Sequence, residues 1–271
     1  MSPSRKAAKR TSRDDGFGRS SRFYTTPEGA KYPSVTTILR AINKPALVNW
    51  AAREERKMVL AALGAAMDSV EKGKKLGRMA FMKRVEDFIG AEKAHNKLRS
   101  KAGDIGTGIH QMAEWHLRSE LKQKVGPEPQ VPEASTWGYM AWDDWRRSVN
   151  LVPLHIEQTC YSDKYGYAGT FDLLCEMDLP DGTRGNVLAD WKSGKAIYNE
   201  QPIQTAAYIE AVIEMKHATR PLHGLIVRVP KTIGDPEFET KYIHSDEVKG
   251  LFKVFLATYD LWKYLDATSG L

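Results

Sequence analysis

Asp190 and Lys192 close the run Val187-Leu188-Ala189-Asp190-Trp191-Lys192. Its apolar start reads as a buried central strand, and side chains two apart on a strand share a face. A carboxylate and an ammonium at the end of such a strand must be paired, solvated or bound to something. On this spacing alone a plain Asp–Lys ion pair accounts for both. Gly169-Thr170-Phe171-Asp172 places a second acid in the preceding strand, flanked by Leu173 and Leu174. Two acids facing one cleft from neighbouring strands repel unless a cation lies between them. Mg2+ or Mn2+, which prefer hard oxygen ligands, would resolve that repulsion. Glu157, one strand earlier, is a third candidate acid and reads equally well as a strand-end surface carboxylate.

Two helical motifs flank these acids. Gly106-Thr107-Gly108-Ile109-His110 is read as opening a helix, its glycines permitting close approach to another backbone. His110 and Glu114 then share a face at i, i+4. A lone histidine there is usually structural, and His95 and His116 are read that way. After the third strand, Gln204-Thr205-Ala206-Ala207-Tyr208 sets Gln204 and Tyr208 at the same spacing. Its small residues are those of a helix packed closely on a sheet.

The elements that must position these residues follow from pattern. Residues 154–162 and 167–177 read as a hairpin across the turn Asp163-Lys164-Tyr165-Gly166. Residues 186–192 form a third strand after Asp181-Gly182, 201–217 a helix, 223–230 and 237–244 two further strands, and 246–266 a closing amphipathic helix. Upstream, 46–100 reads as two or three helices broken near Gly73 to Gly77 and near Gly90. A helix from about Ile105 to Lys122, a loop over 126–132 and a helix over 134–149 follow. Ser34 is a candidate N-cap. The order is that of a mixed α/β core, 151–271, behind a mainly helical N-terminal arm, 33–150, in one domain spanning 23–271. Residues 1–22 are polar and basic with almost no large apolar side chain, the composition of a disordered tail.

The chain has 271 residues, 42% of them hydrophobic and 27% charged, which excludes fibrous and wholly disordered classes. No apolar run approaches the roughly 18 residues of a membrane span, and no apolar stretch follows the basic N-terminus as in a secretory signal. Cys160 and Cys175 are too few for a disulfide framework or a four-cysteine iron–sulfur cluster. A reducing cytoplasm is the expected compartment. The net charge of +6 is unevenly spread. Residues 44–101 hold fourteen basic and seven acidic side chains, whereas 102–271 hold seventeen basic and twenty-four acidic. A basic segment of that kind can track a polyanion such as nucleic acid, and it can equally be a solvated helical face.

Taken in order, GTGIH, a strand acid, GTFD, DWK and QTAAY resemble the RecB-like branch of the PD-(D/E)XK nuclease superfamily. Phage-encoded exonucleases and the mitochondrial genome-maintenance exonuclease are the nearest types. The resemblance spans about residues 33–215 and includes Pro33-Ser34-Val35-Thr36-Thr37-Ile38-Leu39 with Trp50 following. It implies a restriction-endonuclease-like core, a mixed central sheet flanked by helices. It implies that His110, Asp172 and Asp190 ligate Mg2+ or Mn2+, with the Trp191 carbonyl completing the shell. Lys192 would orient the attacking water or help deprotonate it, and Gln204 and Tyr208 would position substrate and that lysine. Glu157 is retained as a further catalytic acid. The implied activity is DNA exonuclease action on single strands or free ends during phage or bacterial recombination, repair or replication. A recombination protein would be a further partner. A structure-specific endonuclease shares the same residues, and a non-catalytic nucleic-acid-binding module is the alternative outside enzymes. CRISPR-associated relatives carry four cluster-binding cysteines, and this chain has two, so no iron–sulfur cluster is expected. Trp50, Phe81 and Tyr208 are candidate base-stacking surfaces.

Overall fold

A computed structural model describes residues 8–14, 20–42, 45–71, 77–90, 93–231 and 238–268. The chain divides into two compact units, one formed by Met1–Ile42 with Ile105–Leu271 and the other by Asn43–Asp104. The division falls at 104/105, within the stretch 33–150 read from the sequence as the helical arm.

The larger unit is built on a five-stranded sheet. β4 (Val152–Ser162), β5 (Tyr167–Asp178), β6 (Arg184–Lys192), β7 (His223–Arg228) and β8 (Glu239–Ile243) lie in that order. Only the β6–β7 pair is parallel. A parallel pair needs a crossover, and α6 (Glu200–Glu214) supplies it. α7 (Ser245–Thr268) closes the chain. Successive residues of the central strands alternate between two apolar clusters. Leu188 and Ile226 join α6 and α7, while Val187, Ala189, Leu225 and Val227 join Ile109, Ala113 and Leu117 of α4 (Ala94–Glu120) and Trp142 of α5 (Glu133–Ser148). The sheet is thus covered by helices on both faces, which is why its central strands are continuously apolar. The helices over 105–148, assigned from the sequence to a separate arm, are part of this core.

The turns follow their chemistry. Gly166 takes a φ of +75° in the β4–β5 hairpin and Gly182 one of +82° before β6, conformations that suit glycine. Ser34 caps α1 (Val35–Ile38), its hydroxyl accepting from the Thr37 N–H at 3.0 Å.

Two further expectations differ from the structure. In the stretch read as a disordered tail, β1 (Lys9–Asp14) pairs with β2 (Ser20–Thr25), and β2 pairs with β3 (Lys31–Pro33). Residues 1–7 and 15–19 lie outside the described residues. Tyr24 anchors this small sheet: it is buried in the core and its hydroxyl meets Thr170 Oγ1 at 3.0 Å. In addition, the helix carrying GTGIH does not begin at Gly106 but runs unbroken from Ala94. Isolated glycines are tolerated inside a helix at about 1 kcal/mol each relative to alanine.

In the smaller unit, α2 (Pro45–Glu71) and α3 (Arg78–Ile89) enclose a narrow core of Ala62, Ala66 and Val85. Phe81 packs against it, a core position for a residue considered as a stacking surface. Trp50 meets His95 edge-on at 6.3 Å, and His95 Nδ1 lies 2.7 Å from Glu55.

Candidate metal centre

His110, Glu157 and Asp172 converge, with one ligand atom of each inside a 4.8 Å group. His110 Nδ1 lies 3.6 Å from Glu157 Oε1 and 3.7 Å from Asp172 Oδ1. α4 delivers the histidine because Ile109, Ala113 and Leu117 bury one stripe of the helix, and His110 sits at its margin. Its ring packs edge-on against Trp191 at 5.4 Å, and Trp191 packs the same way on Trp142 at 5.5 Å. Gly106 and Gly108 allow the approach, since a Cβ on either would overlap Ser193 or Ser135.

The β5–β6 ladder ends at the pair Leu173–Ala189. One step further Asp172 would meet Asp190, two acids face to face. Asp172 instead turns Oδ2 to the Trp191 N–H, at 2.6 Å. Across the other edge, β4 and β5 pair at Ile156–Leu173 and Gln158–Phe171 and skip Glu157 against Asp172. Glu157 there has a φ of +44°, rare for a residue that is not glycine. Phe171 belongs to one core cluster and Leu173 to the other, so the alternation changes phase at this point.

On the same strand end, Lys192 forms an ion pair with Asp190, whose side chain is buried. The ammonium lies directly against the buried Asp190 Oδ2 and is its charge partner. Asp190 is not in the three-residue group. Gln204 Nε2 donates to the Tyr208 hydroxyl at 3.0 Å, and the Tyr208 ring packs on Gly169. Both residues of this pair are buried, which withdraws Tyr208 as a stacking surface.

The electrostatics agree with a site short of positive charge. Burial, and then the charge of Glu157, push Asp172 up against the pull of His110 and Lys192. Burial raises Asp190 to about 6, Lys192 opposing and Asp172 reinforcing. Burial pulls His110 down, but Asp172 and Glu157 outweigh it and hold the imidazole above its usual value. Lys192 is likewise depressed by burial and raised on balance by Asp190 and Asp172. Tyr208 is pushed well up by burial and by Asp190.

Of the residues expected to hold a metal, His110 and Asp172 come together and Glu157 joins them. Asp190 stays with Lys192, and the Trp191 backbone takes part through its N–H. The donor set fits a divalent ion, with two carboxylate oxygens and an imidazole nitrogen at spacings only slightly wider than coordination requires. Cys160 and Cys175 are buried in different core clusters, and burial pushes both thiols up. Among the described residues no helix is long and apolar enough to cross a membrane.

Arg118 was not foreseen. It extends the His110–Glu114 row by one turn, with its Nε donating to Glu114 at 2.7 Å and its Nη2 to the Ile156 carbonyl at 3.0 Å. The i, i+4, i+8 spacing was visible in the sequence, but its target on another strand was not. No family model matches the chain, and no curated protein matches it.

Proposed function

We propose that this protein is a metal-dependent deoxyribonuclease of the PD-(D/E)XK type, hydrolysing phosphodiester bonds in DNA with single-stranded or free ends. The observation that carries the reading is the convergence of His110, Glu157 and Asp172 beside the buried Asp190–Lys192 pair. His110, Glu157 and Asp172 would hold Mg2+ or Mn2+, with Asp190 at the margin of the shell. When bound, such an ion polarises the scissile phosphate and lowers the pKa of water. Lys192, raised above an already high value, is an ammonium at neutral pH. As an ammonium it would orient the nucleophile and neutralise charge developing on the phosphate. Asp190, at about 6, is mostly ionised at neutral pH and fixes that ammonium. Gln204 donates to the Tyr208 oxygen, which leaves the tyrosine O–H free to donate in turn.

The test is digestion of end-labelled linear and covalently closed circular DNA, single- and double-stranded, in Mg2+, Mn2+, Ca2+ and EDTA. Cleavage of linear forms with Mg2+ or Mn2+, none in EDTA and inhibition by Ca2+ are expected. Hydrolysis in excess EDTA would exclude the reading, and efficient cutting of closed circles would favour an endonuclease.

A further inference from the structure

Glu157 holds a positive φ of +44° in the middle of a strand, where β4 and β5 skip a pair. A side chain with a Cβ does not stay in that conformation unless its surroundings over-determine it. The residue just before it is held from another element. The Ile156 carbonyl accepts from Arg118 Nη2 at 3.0 Å, across 38 residues of sequence. Arg118 is itself fixed: Nε donates to Glu114 Oε1 at 2.7 Å and Nη1 to Gln123 Oε1 at 3.0 Å. The guanidinium fork thus has all three nitrogens engaged, and a planar fork loses little freedom in making them. Arg118 stands two turns beyond His110 on the same helix. One helix therefore carries both the histidine of the three-residue group and the clamp on the strand that brings Glu157 to it.

We infer that Arg118 is a positioning residue for Glu157: by holding the Ile156 carbonyl it fixes the irregular turn of β4 that aims the Glu157 carboxylate at His110 and Asp172. The inference rests on the metal-site reading above. It also has a sign that charge alone would reverse. Removing a nearby positive charge should, by electrostatics, strengthen the binding of a cation. Removing a clamp on a ligand should weaken it, as loss of a group that orients a metal ligand does, by about 10- to 100-fold.

The experiment is a double-mutant cycle read by Mn2+ affinity, titrated calorimetrically on the full chain. The four proteins are wild type, Arg118→Met, Glu157→Gln and the double variant. Methionine keeps the apolar stem and removes the donors. Arg118→Met should weaken Mn2+ binding about tenfold in the wild-type background and have little further effect once Glu157 is Gln. An equal loss in both backgrounds, no loss, or tighter binding would overturn the clamp while leaving the metal site standing. Failure of the wild type to bind Mn2+ would overturn the metal-site reading and the clamp with it. Should Arg118→Met not fold, Arg118→Lys enters the same cycle, with a smaller loss of the same sign and the same dependence on Glu157 expected.

Discussion

The Trp191 N–H donates to Asp172 Oδ2 at 2.6 Å, so the residue between Asp190 and Lys192 holds the acid of the neighbouring strand. The other oxygen of the same carboxylate faces His110 at 3.7 Å. One side chain thus joins the β6 backbone to the α4 histidine. An amide at this position can still accept from Trp191 through its oxygen but no longer repels Glu157. Asp172→Asn should therefore lose at least tenfold in Mn2+ affinity, while the metal-free protein unfolds at or above the wild-type temperature. A variant that binds Mn2+ normally would remove Asp172 from the ligand set.

Asp190→Asn and Lys192→Ala should each reduce cleavage by at least about 10²-fold, the scale of losing one group that stabilises transition-state charge. Circular dichroism should report retained secondary structure. Near wild-type rates at saturating Mg2+ in either variant would mean that the Asp190–Lys192 pair is structural only.

The raised Asp190 value gives stability a definite pH dependence. Its carboxyl binds a proton more tightly folded than unfolded, since its folded value is about 6 against a usual 3.8. Its contribution is then complete below the usual value and is lost as pH rises through about 6. His110, also raised, has the same sign at somewhat higher pH. Asp143 and Asp178, paired with arginines and lowered, act oppositely and only in more acidic solution. In EDTA, the wild-type melting temperature should fall relative to that of Asp190→Asn as pH rises from about 4 to about 7. Mn2+ should cancel the fall, because metal binding displaces those protons. Parallel curves for the two proteins would show that Asp190 titrates normally.

Gly169 is required by the Tyr208 ring. A Cβ there would overlap Cε1 and stand 3.2 Å from Cδ1 and Cζ, and a buried ring hydrogen-bonded to Gln204 has little room to move. Gly169→Ala should destabilise the fold by about 1–3 kcal/mol, as overpacking does. At about 2–4 °C per kcal/mol for a protein of this size, the shift is readily seen in a thermal melt. An unchanged melting temperature would show that Tyr208 is mobile.

The central strands were legible because their residues are apolar on both faces, and β5 and β6 end within one residue of the expected positions. The pairing of β1, β2 and β3 was not, because those strands are short and polar and depend on Tyr24 reaching the core. Gly106 and Gly108 were read as a helix start, although their need for space against Ser193 and Ser135 is tertiary. His110, Asp172 and the Asp190–Lys192 pair could be picked out by residue type and spacing. That Glu157 rather than Asp190 completes the three-residue group could not, because it depends on one irregular φ in β4.

The charge asymmetry leads to the last prediction. Under the proposed function, the acids of the site would repel DNA, and the groups that neutralise phosphates would lie elsewhere. Arg53, Arg56, Arg78 and Arg84 are exposed on α2 and α3, whereas Lys74 and Lys75 of the same basic segment lie outside the described residues. Lys9, Arg10 and Arg22 are exposed on the β1–β2 pair. Deleting residues 1–22 would remove β1 and uncover Tyr24, so charge reversal to Glu is the cleaner comparison. Reversing the four helical arginines should weaken single-stranded DNA binding and flatten its log–log salt dependence by about 0.7 for each phosphate no longer neutralised. Reversing the three strand residues should flatten it less, because residues 44–101 carry the larger basic excess. The measurement is a salt titration of DNA binding in Ca2+ for wild type and both reversals. A larger change in slope from the strand reversal would assign the DNA-binding surface to the N-terminal sheet instead of the helices.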